Sequence, residues 1–148
     1  MAKADRPTRR KYAVSPDEYR SFIAGLELEV VYLESSTIKR HRVPDSGKEL
    51  HYVERSGRAD YEPTSRGFRA SLSHSFRILA DEDAEPLGAI SCRFVAEYSS
   101  KTPINDNLFR VFRDLNLPMN LWPYVREHVH SSTAKMALTP LILPTKKN

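Results

Sequence analysis

Five histidines, one cysteine and 19 acids are the residues of this 148-residue sequence that could hold a metal or move a proton. His128 and His130 stand two apart in a helical pattern, so their rings point to different sides, whereas a metal-binding pair on one helix is spaced by four. His74 lies between Leu72 and Phe76 on the apolar side of a strand, where a hydrogen-bonded core imidazole is expected rather than a catalytic base. The acidic connector Asp81, Glu82, Asp83 and Glu85 lacks the Asp-x-Asp-x-Asp-Gly pattern and distal Glu of a calcium loop, and reads as a solvated turn. Only five glycines are present, and none makes a glycine-rich turn between a strand and a helix that could cradle a phosphate. No local pattern pairs a nucleophile with a base. These residues point to a protein that binds without making or breaking a bond, with no metal and no cofactor.

The elements that would position a binding surface follow from periodicity. Phe22 to Leu33 puts Leu26, Leu28, Val30 and Tyr32 on one side and Glu27 and Glu29 on the other, the pattern of a half-wet strand. Arg40 to Arg66 is dense in turn residues (Pro44, Gly47, Gly57, Pro63) and leaves room for a short strand near Leu50 to Val53. Phe68 to Ile78 alternates with Arg69 to Arg77, and Ile90 to Tyr98 alternates with Ser91 to Glu97, so two long antiparallel strands form a hairpin. Leu108, Val111, Phe112 and Leu115 fall at i, i+3, i+4 and i+7 behind Asn105 or Asp106 as N-cap, which predicts a short helix. A second helix is expected from Asn120 to about Ala137, with Pro123 in its first turn and Leu121, Val125, His128, Val129, Ser132 and Met136 as its inner stripe. Pro140 and Pro144 hold the segment after it extended. Strands first and helices last give an α+β fold, a four-stranded antiparallel sheet with helices packed on one face.

Length favours one domain, residues 15–148, behind a basic flexible tail, residues 1–14, that carries Lys3, Arg6, Arg9, Arg10 and Lys11. Lys and Arg exceed Asp and Glu by 23 to 19, and the chain holds one cysteine, Cys92. A lone cysteine, an N-terminus without an apolar stretch and no run of about 18 apolar residues predict a cytoplasmic protein that does not insert into membranes. The tail together with Lys39, Arg40, His41 and Arg42 admits a competing class, a basic nucleic-acid-binding regulator, but no base-reading module accompanies it.

Pro123, Tyr124, Arg126 and Glu127, followed by Pro140, Leu141 and Leu143, resemble the signature of the SecB family of protein-export chaperones. There the main helix opens with Pro-Tyr-x-Arg-Glu, and a Pro-Leu-x-Leu stretch comes after it. The resemblance covers roughly Tyr19 to Pro144 and is strong in the last quarter. It implies a cytosolic homotetramer, a dimer of dimers, whose hydrophobic grooves hold unfolded or precursor proteins and pass them to SecA. A related type serves toxin-antitoxin modules, with an antitoxin as its client. The groove is expected from Phe94, Tyr98, Trp122, Tyr124, Val125, Met136, Leu138, Leu141, Ile142 and Leu143, because aromatics and Met adapt to many partners. The chain departs from the family in being basic, which leaves Glu27, Glu29 and Glu34 as candidate acids for docking a partner, and only Lys146, Lys147 and Asn148 follow Thr145 where the family continues into a further helix.

Overall fold

Ser15, Pro16, Asp17 and Glu18 make a helix start: the Ser15 hydroxyl accepts from the Glu18 N–H, and Pro16 sits where a missing N–H is harmless. The resulting helix α1 (Pro16–Ala24) overrides the strand pattern expected from Phe22, whose ring instead enters the core against Phe68 and Phe112. A helix therefore precedes the strands. The structure, a computed structural model, describes residues 11–42, 49–80 and 85–146. The basic residues before Lys11 and the acids Asp81, Glu82 and Asp83 lie outside that range.

Four antiparallel strands follow, β1 (Leu26–Arg40), β2 (His51–Pro63), β3 (Gly67–Leu79) and β4 (Gly88–Ser100), in the spatial order β1-β4-β3-β2. The expected β3–β4 hairpin forms, with Phe68 opposite Tyr98 and His74 opposite Cys92. Two expectations are corrected. First, β1 is irregular between Leu28 and Val30 and between Leu33 and Ser35. Each bulge inserts a residue and resets the alternation. Leu28, Val31, Leu33 and Ile38 thus face the helix side, opposite Tyr98, Ala96, Phe94 and Ile90, while Val30 and Tyr32 join Glu27 on the other face. Second, β2 runs to 13 residues rather than about four, because its turn-like Gly57 and Arg58 sit in a shift between Ser56 and Ala59 and Pro63 stands at its end on an edge strand.

Helix α2 (Asp106–Leu115) is capped by Asn105, whose side chain accepts from the Leu108 N–H. Leu108, Phe109, Val111 and Phe112 are buried, whereas Leu115 is 52% exposed because the chain turns out at Asn116. Helix α3 (Leu117–Lys135) begins three residues earlier than the pattern predicts, so Pro118, not Pro123, occupies its first turn. Pro123 lies inside it, where its ring denies one donor to the preceding turn. Buried Leu121, Trp122 and Val125 on either side anchor both flanking turns to the sheet. Helices α2 and α3 cover one face of the sheet.

At the end of α3 the Leu138 N–H bonds the Thr133 carbonyl and the Ala137 N–H bonds the Ala134 carbonyl, the paired closure in which the residue between adopts a left-handed backbone. That residue is Ala137, with φ 56°, a conformation an L side chain resists. Residues 138–146 then return beside α3 as an extended strap that buries Leu138, Leu141 and Leu143.

His74 is 1% exposed, and neither ring nitrogen has a hydrogen-bond partner. The expected hydrogen-bonded imidazole is thus a bare one, packed near Phe76 and Trp122. Burial, with a smaller contribution from Lys146, pushes its pKa down to about 4.

Two outcomes are expected. Ala137→Gly should raise stability in denaturant titrations by about 1 kcal/mol, since glycine relieves the left-handed strain; a loss of stability would contradict this account of the helix end. The unfolded His74 binds a proton near pH 6.5 and the folded one only near 4, so its contribution is intact above pH 6.5 and is lost as pH falls through that window, by about 3 kcal/mol in all. The His74→Leu protein should show a flatter stability profile between pH 6.5 and 4 than wild type, and identical slopes would exclude this role.

Candidate functional site

The strap is attached to α3 chiefly through its main chain. The Thr133 hydroxyl accepts from the Leu141 N–H at 2.9 Å, the Arg126 guanidinium donates to the Leu143 carbonyl at 2.9 Å, and the Trp122 indole donates to the Pro144 carbonyl at 2.7 Å. Lys146 lies 4.4 Å over the Trp122 ring and 3.9 Å from the Glu54 carboxylate of β2. These bonds explain the spacing of the Pro-Tyr-x-Arg-Glu and Pro-Leu-x-Leu elements: Trp122 and Arg126, one turn apart, grip two adjacent carbonyls. The strap therefore fills the trough between α3 and β2.

Of the ten residues expected to line a groove, Phe94, Tyr98, Trp122, Val125, Met136, Leu138, Leu141 and Leu143 are buried within the chain itself. Tyr124 is 43% exposed and Ile142 is 74% exposed. The structure brings Trp122, Leu141 and Leu143 together on the β2 flank of α3. Phe94 meets Tyr124 and His128 on the other flank, with ring centroids 6.3 Å and 5.9 Å apart. Tyr98 stands deeper, stacked on Phe68 and accepting from the Asn120 amide. His128 is half-buried, its Nε2 2.7 Å from the Ser36 hydroxyl of β1, and burial lowers its pKa. Cys92 is buried and its pKa is raised to about 11, so it is held as an unreactive thiol.

Sequence periodicity missed two sets of residues. Leu28, Leu33 and Ile38 of β1 are exposed on the helix side, and the bulges that put them on one face leave no simple period to read. Leu50, Tyr52, Val53 and Leu79 join the expected groove residues Leu141 and Ile142 around a cavity of about 500 Å³ at the start of β2, where only a short strand near Leu50 to Val53 was expected.

The opposite sheet face is polar and charge-compensated. Arg93 donates to the Ser71 and Ser73 hydroxyls and to the Asp60 carboxylate, and lies 3.8 Å from Glu34. Arg69 pairs with Glu97 at 2.8 Å and Glu62 at 3.3 Å. Glu34 is thus matched by a cation, and Glu27 sits opposite Ser99 on the same face. Lys39 and Arg40 end β1, with His41 and Arg42 exposed after it. Among the described residues no cluster of three or more His, Cys, Asp and Glu could hold a metal, and no helix is long and apolar enough to cross a membrane.

No family model and no curated protein matches the sequence. Solved structures do. The SecB-like chaperone Rv1957 of Mycobacterium tuberculosis, solved in complex with a ChAD peptide from the Rv1956 HigA1 antitoxin, superposes with a TM-score of 0.75 at 21% identity, covering 85% of this chain and 94% of that one. A Streptococcus agalactiae protein of unknown function matches with a TM-score of 0.42 at 10% identity, covering 80% of this chain and 96% of that one. The chain has the SecB-like fold.

Proposed function

We propose that this protein is a chaperone that holds segments of other polypeptides in extended form on apolar surface, without chemistry, in the cytoplasm. The observation that carries the reading is the SecB-like fold, shared with a chaperone solved with a peptide on it, in a chain that leaves apolar side chains bare on its helix layer and along its sheet edge. Apolar burial selects no single sequence, which is what a holder of unfolded chains requires.

An antitoxin-type client is favoured over precursor proteins destined for SecA. Transfer to SecA, as the family resemblance implies it, uses acids on the chaperone to dock a basic tail. Here the sheet-face acids Glu34, Asp60, Glu62 and Glu97 are each matched by Arg93 or Arg69, which weakens their attraction for another cation. The same pairing gives nucleic acid no unmatched arginine at Arg69 or Arg93.

Homo-oligomerisation is part of the reading. β1 is a 15-residue edge strand carrying exposed Leu28, Leu33 and Ile38 on one face and exposed Val30 and Tyr32 on the other. A long apolar edge left bare invites pairing with another strand. A second copy, set antiparallel across β1, would satisfy both its main chain and its side chains.

Trp122 and Leu141 are buried, so substitutions there would disturb the fold before the client. Tyr124→Asp and Ile142→Asp, both at exposed positions, should instead leave thermal unfolding nearly unchanged and weaken suppression of aggregation of a chemically unfolded client severalfold. Failure of the well-folded wild type to suppress aggregation would dispose of the chaperone reading. Leu33→Asp should halve the mass found by sedimentation equilibrium, or reduce it further; an unchanged mass would remove β1 as the contact between copies.

A further inference from the structure

Beneath Trp122 lies a polar group for which packing alone gives no reason. His74 is 1% exposed and both of its ring nitrogens lack a hydrogen-bond partner, although an imidazole carries a donor and an acceptor that water would satisfy. A leucine would fill the same place on β3 without that cost. What an imidazole adds is the ability to take a proton.

The ring is enclosed by groups that disfavour one. Phe76 of its own strand and Trp122 of α3 flank it, with ring centroids 6.4 Å and 6.1 Å away. Cys92, opposite it on β4, is a neutral thiol, and Ser56, opposite it on β2, is exposed and makes no bond to it. The strap contributes a cation, Lys146, which already draws the Glu54 carboxylate of β2 to itself at 3.9 Å. Among the described residues Lys146 is the charge that bears on the ring, and it opposes a second cation there. A proton on His74 therefore has no acceptor unless water enters.

Water has one inexpensive way in. Trp122 covers the imidazole, and the strap holds Trp122 in place through the Pro144 carbonyl and the Lys146 ammonium 4.4 Å over the indole. The strap itself belongs to no strand ladder among the described residues, hangs on three side-chain bonds and leaves α3 through the left-handed Ala137. An element so attached opens at lower cost than the paired strands β3 and β4.

We propose that His74 is a proton-operated release for the strap: when the ring binds a proton, Trp122 swings off it and residues 138–146 leave the flank of α3 while the sheet stays folded. With the strap closed the ring takes a proton only near pH 4, and with the strap off it does so near the ordinary 6.5. Acid thus favours the open form, and the opening constant rises about 70-fold between pH 7.5 and pH 4.5. Opening bares Leu141, Leu143 and the indole together, so acid turns a filled flank into an apolar surface. The release works the same way whatever the protein holds.

The test follows the Leu141 amide, which the Thr133 hydroxyl holds, by hydrogen exchange in the full chain, with rates corrected for the pH dependence of free amides. Its protection should fall about 70-fold from pH 7.5 to pH 4.5 while amides of the β3–β4 ladder keep theirs. Trp122 is the chain's one tryptophan, and acrylamide should quench its emission more steeply at the lower pH. His74→Leu should hold the Leu141 protection constant across the range. Ser56→Asp, at an exposed position opposite His74, places a carboxylate beside the imidazolium and should shrink the fall severalfold, which keeps a readout if His74→Leu does not fold. Equal protection at the two pH values in wild type, an undiminished fall in folded His74→Leu or in Ser56→Asp, or a loss shared equally by the ladder amides would each overturn the proposal.

Discussion

One geometric constraint shapes the molecule: its helix layer is too small for its sheet. Strands of 13 to 15 residues span more than about 40 Å, and four of them side by side are about 19 Å wide. Helix α3, with 19 residues, is about 28 Å long and about 10 Å across. It covers the inner strands β3 and β4, whose helix-side residues Phe68 to Ile78 and Ile90 to Tyr98 are almost all buried. Helices α1 and α2 close one end through Phe22, Phe109 and Phe112. The helices reach the outer strands only in places, Phe109 of α2 packing on Tyr61 of β2 and His128 of α3 meeting Ser36 of β1, and leave other apolar side chains there exposed.

The chain resolves the shortage on one side only. At β2 the strap supplies a third piece of cover, buried through three leucines and tied down by three side chains of α3. Those ties explain why Trp122, Arg126 and Thr133 stand on one flank of the helix, and why the turn at Ala137 is tolerated in a left-handed backbone: the reversal is needed to aim the strap back along α3. At β1 nothing among the described residues plays this part, and Leu28, Leu33 and Ile38 remain exposed. Among the described residues a single chain is therefore covered along one flank and open along the other.

How much of this was legible in the sequence depended on whether local and long-range signals agreed. β3, β4 and α2 were readable because alternation, the Asn105 cap and the inward-facing Leu108, Val111 and Phe112 all indicated the same element. β2 was legible only as a short strand near Leu50 to Val53, since Ser56 and Gly57 look like a turn and the shift between Ser56 and Ala59 becomes a bulge only when β3 is present to pair on both sides of it. α1 was hidden because Phe22 fits a strand period as well as a helix core, and only the Ser15-to-Glu18 cap distinguishes the two. The candidate site was half legible: aromatic and leucine residues of α3 and the strap were found, but most turned out to be the wall's interior, with Tyr124 and Ile142 as its surface. The cavity beside β2 could not be found without the strand it borders.

The polar face of the sheet completes the division of labour. A sheet with two apolar faces would associate through either; this one sets Arg93 among serines and acids, reaching Ser71, Ser73 and Asp60. Arg93 and Arg69 thereby bond to hydroxyls and acids of the same face, so the centre of that face is polar while its exposed apolar side chains, Val30, Tyr32 and Val53, lie on the outer strands. Main-chain groups free to pair and exposed apolar side chains coincide at the edges of the sheet rather than at the centre of this face. An edge accepts whatever strand can match it, and the two edges differ in their surroundings: exposed Leu28 and Leu33 on one face of β1 with Val30 and Tyr32 on the other, and a trough with a resident strap beside β2.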